Sequence, residues 1–189
     1  MKKLAYSDLK NQIIIDVRSQ YDFQNGHIQQ ALNLNPANFK TYAKDFLKTD
    51  QAIVFIVEDE EGLDELSLIA KEAGFTEVSG YLLASDVPNE ELQKVETISA
   101  NAFFKVAEEY TLLDVRHPDE ITRPAPEENL VNIPLEDLSE NIESLDKEKR
   151  IYTLCGSGNR GTSAASYLAS KGYEPVVIEG GMKNFEELR

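Results

Sequence analysis

The chain repeats itself, and that limits what it can fold into. Ile13-Ile14-Ile15-Asp16-Val17-Arg18 returns as Leu112-Leu113-Asp114-Val115-Arg116, with the two aspartates at an offset of 98 residues. Gly74-Phe75 and Gly172-Tyr173 keep that offset, and so do the apolar runs 53–57 and 151–155. Repetition over this length predicts two copies of one unit, each with its own core, in place of one large domain. The copies are expected over 1–84 and 97–189. The stretch 85–96 is expected to be a linker, because Ser85-Asp86-Val87-Pro88-Asn89-Glu90-Glu91 is polar, contains proline and lacks periodicity. The second copy departs from the first where Gly26-His27-Ile28 is replaced by Arg123-Pro124-Ala125-Pro126.

Within each copy short apolar runs alternate with helical patterns. Strands are expected over 13–16, 32–34, 53–57 and around Val78, then over 112–114, 130–133, 151–154 and 176–178. Helices are expected over 20–25, 38–47 and 61–73, then over 100–109, 136–141, 162–171 and 182–188. This alternation predicts an α/β fold, with a mostly parallel sheet flanked by helices in each copy. In such sheets ligands bind beyond the carboxyl ends of the strands.

The lone cysteine lies at such an end. Ile151-Tyr152-Thr153-Leu154 reads as a buried strand, and Cys155-Gly156-Ser157-Gly158-Asn159-Arg160-Gly161-Thr162 leads into a helix closed by Gly172. Gly156, Gly158 and Gly161 are expected to let the backbone curl so that its N–H groups form an anion nest. The following helix adds its positive pole and Arg160 a full charge. All three favour a thiolate over a thiol, which suits a nucleophile that forms a covalent intermediate. The competing reading is a small buried hydrophobe, which needs neither the glycines nor the arginine.

Cys155-x-x-Gly158-x-Arg160 resembles the active-site loop of rhodanese-type sulfurtransferases. Val177-Ile178-Glu179-Gly180-Gly181-Met182 is similar to the signature near the end of that domain, and Leu112-Leu113-Asp114-Val115-Arg116 to its strand-plus-arginine motif. The resemblance implies two tandem rhodanese-like domains, an inactive first and an active second. It implies that Cys155 takes a sulfane sulfur from thiosulfate or a low-molecular-weight persulfide and passes it to a thiol, or to cyanide in vitro. Cys155 and Arg160 are the expected catalytic residues, and Gly156, Ser157, Gly158, Asn159, Gly161 and Thr162 the expected substrate-binding ones. Gly161 stands where family members commonly have Ser or Thr, which puts one hydroxyl contact to a persulfide in question. Related architectures fuse paired rhodanese units to a persulfide dioxygenase, so a protein partner that carries or produces persulfide is a further expectation. Two other readings stay open: a non-catalytic sulfur-carrier or interaction module, and a cysteine phosphatase or arsenate reductase of the same fold. Four residues separate Cys155 from Arg160 where such phosphatases have five, so the loop matches the sulfurtransferase form.

The first copy lacks this chemistry. At the offset of 98, Cys155 falls on Val57 and Arg160 on Gly62, and the loop reads Glu58-Asp59-Glu60-Glu61. Acids at a helix start help the helix by about 0.3–1 kcal/mol each, so a solvated helix start explains them, with recognition of a basic partner as the minority reading. Asp16-Val17-Arg18 and Asp114-Val115-Arg116 are expected to be structural, with the Asp tying down loop backbone. His27 is expected in a structural turn, His117 near the pocket without an assigned role, and Arg123 as a solvated loop residue or a charge at the rim of the site.

Charge and composition exclude several classes of partner. With 19 basic and 34 acidic residues the formal net charge is −15, which repels nucleic acid and anionic membrane surfaces. One cysteine excludes an internal disulfide, and no Cys/His cluster has metal spacing, so neither metal nor cofactor is expected. With no signal-like or bilayer-length apolar run, the chain is expected to be cytoplasmic.

Overall fold

The computed structural model describes residues 1–186, and the chain divides into two compact units, Met1–Lys94 and Val95–Arg189. The first unit contains β1 (Ile13–Asp16), α1 (Gln20–Asn25), β2 (His27–Ile28), β3 (Leu32–Asn33), α2 (Pro36–Phe46), β4 (Ile53–Val57), α3 (Leu63–Glu72), β5 (Val78–Leu83) and β6 (Leu92–Gln93). The second contains β7 (Thr97–Ile98), α4 (Ala100–Phe103), β8 (Tyr110–Asp114), β9 (Leu130–Asn132), α5 (Leu138–Asn141), β10 (Arg150–Leu154), α6 (Asn159–Ser170), β11 (Pro175–Ile178) and α7 (Met182–Glu186).

Each unit is α/β. The first sheet runs β3-β1-β4-β5 and the second β7-β11-β10-β8-β9, and every pairing in both is parallel. Strand β4 is buried along its whole length, as is β8, because helices and connections cover both faces of a parallel sheet. On one face of the second sheet Leu112, Tyr152, Leu154, Val176 and Ile178 pack with Phe103, Met182 and Phe185. The Phe103 ring meets Tyr110 at 5.4 Å and Tyr152 at 5.3 Å, both edge-to-face.

Several boundaries differ from the sequence expectation, each for a local reason. Residues 85–94 are not a free linker. They form two 3-10 turns, Ala84–Asp86 and Asn89–Glu91, and then β6, which pairs antiparallel with β2. Val87 is buried and Leu92 lies against Gly26, so two apolar residues inside a polar stretch return it to the first unit. Helix α2 starts at Pro36, because Asn35 caps it by accepting from the Asn38 N–H at 2.9 Å. Helix α4 ends at Phe103 instead of reaching 109, since the chain turns after the buried Phe103 to bring Tyr110 into β8. Helix α5 is one α-helical turn between the 3-10 turns Leu135–Asp137 and Ile142–Ser144. The end of the helix expected over 182–188 lies outside the described residues.

The repeated Asp-x-Arg motif is a buried fastening in both units. Asp114 accepts from its own strand's exit at the Arg116 N–H (3.1 Å) and holds the guanidinium through Nε (2.9 Å) and Nη2 (2.6 Å). Arg116 Nη1 then donates to the Arg123 carbonyl at 3.0 Å, tying the crossover segment to the strand end. Asp16, Arg18 and the Gly26 carbonyl repeat the arrangement in the first unit. Asn33 and Asn132 complete it by donating to the carbonyls on either side of each motif. These asparagines stand at an offset of 99, because the second crossover is one residue longer.

Removing one member of a buried pair strands the other charge, so Arg116→Ala is expected to destabilise the protein by about 3–5 kcal/mol in denaturant unfolding. His27 predicts a pH dependence. Its ring stacks on Phe23 and its Nδ1 donates to the Phe23 carbonyl at 3.0 Å; burial, with a smaller push from the Arg18 charge, holds it below its ordinary value of 6.5 against the raising effect of that hydrogen bond. The unfolded chain therefore binds the extra proton more readily than the fold. Thermal stability is expected to be full above pH 6.5 and to fall as the pH drops below it, with His27→Gln weakening that dependence.

Candidate functional site

The site is built at the C-terminal end of β10. Cys155 follows Leu154 directly and is 1% exposed. Its sulfur accepts the Gly158 N–H at 3.1 Å and the Gly161 N–H at 3.3 Å. Of the three loop glycines, Gly158 is the one with left-handed backbone (φ 89°), and it caps α6. The helix begins at Asn159, three residues before the expected start, so Asn159, Arg160 and Gly161 belong to its first turn. The positive end of a twelve-residue helix thus lies against the sulfur.

The loop is held from outside by the start of α7. Met182 N–H donates to the Cys155 carbonyl at 2.8 Å and Lys183 N–H to the Gly156 carbonyl at 3.1 Å. These bonds draw the carbonyls away from the sulfur. Gly181 makes the approach close enough: its φ is +56°, and a Cβ there would lie 2.2 Å from the Cys155 oxygen. From beneath, the Thr153 hydroxyl donates to the Gly161 carbonyl (2.9 Å) and the Thr162 hydroxyl to the Gly158 carbonyl (2.9 Å). Thr162 is fully buried, Ser157 is exposed, and Gly156 and Asn159 are half-buried.

Arg160 meets a residue that the sequence reading did not single out. Its Nη1 and Nη2 donate to the two oxygens of Glu120, the second at 2.9 Å. The Arg160 guanidinium holds the Glu120 carboxyl below the usual carboxylate range, against the opposing effect of burial. Glu120 also accepts the His117 N–H at 2.7 Å, and His117 Nδ1 accepts the Asp119 N–H at 3.3 Å, so His117 caps the 3-10 turn Pro118–Glu120. The repeat held a signal for Glu120, since Asp22 stands at the matching place in the first unit. There it accepts from the Ser19 hydroxyl at 2.5 Å instead. Arg116 is committed to Asp114, and Arg123 lines a separate pocket of about 340 Å³ with Phe104, Met182 and Phe185.

The first unit carries the counterpart with the polarity reversed. Val57 ends β4, and four residues separate it from the left-handed Gly62 (φ 75°) that caps α3. Two residues separate Cys155 from Gly158. Gly62 therefore corresponds to Gly158, and Asp64, not Gly62, to Arg160. The constant offset of 98 misplaces this pair because α3 is two residues shorter than α6, which restores the register at Gly74 and Gly172. Arg18, Val57, Glu58, Asp59, Glu61 and Leu66 contribute to a pocket of about 250 Å³ at this place.

A family model described as "Rhodanese-like domain" matches residues 2–82 and 101–188. The chain belongs to the rhodanese-like family. Both matched segments are rhodanese-like units, and the strand–loop–helix around Cys155 is the second unit's version of the shared frame. Bacillus subtilis YtwF, named as a candidate sulfurtransferase, is 32% identical over 96 residues, covering 51% of this chain and 92% of its own. Bacillus subtilis YrkF, named as a candidate sulfur carrier, is 26% identical over 153 residues, covering 74% and 82%. A rhodanese-related protein from Thermoplasma volcanium is 32% identical, with a TM-score of 0.46, over 49% of this chain and 92% of that one. Among the described residues no His/Cys/Asp/Glu group could hold a metal, and no helix is long and apolar enough to cross a membrane.

Gly172, after α6, and Gly181, before α7, separate strain from collision. Gly172 has φ +82° and open space around it, so Gly172→Ala is expected to cost about 1–2 kcal/mol. Gly181→Ala adds overlap with the Cys155 carbonyl and is expected to cost clearly more in the same unfolding measurement.

Proposed function

We propose that the second unit is a sulfurtransferase that works through a persulfide on Cys155, and that the first unit is its non-catalytic partner. The observation that carries this is the pair of N–H groups, from Gly158 and Gly161, aimed at one sulfur at the strand end. Such donors stabilise negative charge on sulfur without themselves taking part in the chemistry. At the matching strand end Val57 supplies no nucleophile.

In the proposed reaction the Cys155 thiolate attacks the outer sulfur of thiosulfate or of a low-molecular-weight persulfide. A new S–S bond forms, the donor's S–S bond breaks, and its electron pair leaves on sulfite or on a thiolate. The terminal sulfur of the Cys155 persulfide then carries the negative charge, within reach of the same N–H donors. An acceptor thiolate, or cyanide in an assay, attacks that sulfur and returns Cys155 as thiolate, giving ping-pong kinetics. Arg160 supplies positive charge beside the loop, shared with Glu120, while Gly156, Ser157, Gly158, Asn159, Gly161 and Thr162 shape the cradle. The net charge of −15 disfavours nucleic acid and anionic membrane surfaces, and the partners in this reading are small sulfur donors, thiols or a protein that delivers persulfide, in a reducing compartment such as the cytoplasm.

Incubation with thiosulfate is expected to add one sulfur atom to the intact protein by mass spectrometry, and Cys155→Ser is expected to gain none. Absence of the adduct with thiosulfate, thiol persulfides and polysulfide alike would sink the reading. A carrier role has support in the name given to YrkF, which is matched over 74% of this chain. Steady-state thiocyanate formation separates the two, because a carrier loads once and an enzyme turns over.

A further inference from the structure

We propose that Glu120 is a specificity-determining residue of the Cys155 site: by sharing the Arg160 guanidinium, its carboxylate disfavours dianionic donors such as thiosulfate relative to sulfane donors of lower charge. The inference rests on the sulfur-transfer reading above and concerns which donor that site prefers.

Arg160 lies in the first turn of α6, adjacent to Gly161, whose N–H reaches Sγ at 3.3 Å. Both of its terminal nitrogens donate to Glu120. The positive charge that would draw a dianion is therefore already matched by a fixed negative one. Glu120 is fixed because its turn is capped by His117 and follows directly on the buried Asp114–Arg116 fastening. Asp119 beside it adds a further exposed carboxylate. A donor carrying two negative charges must sit beside this acidic edge or displace Glu120 from the guanidinium. A singly charged donor faces a smaller penalty, while the N–H groups that hold its sulfur are unaffected. In the first unit, where aspartate replaces the arginine, Asp22 accepts from the local Ser19 instead.

Thiosulfate and an arylthiosulfonate test this directly. In both, Cys155 thiolate takes the terminal sulfur and the broken S–S bond leaves its electron pair on sulfur(IV), as sulfite or as a sulfinate. They differ by one charge. With the full-length protein and cyanide as acceptor, thiocyanate formation gives kcat/KM for each donor. Glu120→Gln is expected to raise the thiosulfate-to-thiosulfonate ratio about three- to tenfold at low ionic strength, with the gain shrinking in added salt. Glu120→Asp, which keeps the charge, is expected to hold the ratio within about twofold of wild type. Glu120→Ala is a second neutral variant and is expected to follow Gln. An unchanged ratio in the neutral variants, or a shift as large in Glu120→Asp, would overturn the proposal. So would neutral variants that fail to fold, since the carboxylate's service is then structural. If the wild-type protein takes sulfur from neither donor at Cys155, it is the persulfide reading that fails, which mass spectrometry shows independently of any ratio.

Discussion

The direction in which four peptide groups point governs this site. Around Cys155 the carbonyls of residues 155 and 156 face the start of α7, and the N–H groups of residues 158 and 161 face the sulfur. Holding the carbonyls of residues 155 and 156 anchors the start of the loop, and the N–H groups of residues 158 and 161 reach the sulfur from the peptide groups that follow. The close approach of Gly181 and the Met182 and Lys183 bonds supply that hold. Residues more than twenty positions from the cysteine thus anchor the loop that begins at it.

The two units show what happens when one frame is kept and its loop is changed. Both end a central strand at the loop, cap the next helix with a left-handed glycine, and fasten the neighbouring strand with a buried Asp–Arg pair. In the first unit the loop gains two residues and α3 loses two, so the elements beyond it keep their register. Valine replaces the nucleophile, and aspartate stands where the arginine is. The Glu60 carboxylate accepts from the Tyr81 hydroxyl at 2.8 Å, so this acidic loop is anchored to its own sheet. The frame tolerates the change because the Asp–Arg fastening and the sheet do not depend on what the loop carries.

Much of this was legible in the residues. The repeat, the parallel α/β character and the structural reading of Asp-x-Arg follow from periodicity and chemistry that are local to each segment. The nest around Cys155 was legible in part: three glycines suggested a curled loop, yet Gly158 alone takes the left-handed conformation there, and Gly161 serves from within the helix. The polar stretch 85–94 misled, because the buried Val87 and the half-buried Leu92 are too few to make a pattern, and β6 pairs with a strand far away in sequence.

By itself the sequence determined that the chain makes two related α/β units and that one strand end carries a cysteine before a glycine-rich helix start. Those are statements about neighbours along the chain, where periodicity and backbone freedom decide. Only the tertiary structure decided that Arg160 meets Glu120, that Gly181 presses on the Cys155 carbonyl, and that Asp64 is the counterpart of Arg160. Each of these is set by how separate elements meet in space, and no spacing along the chain encodes that distance.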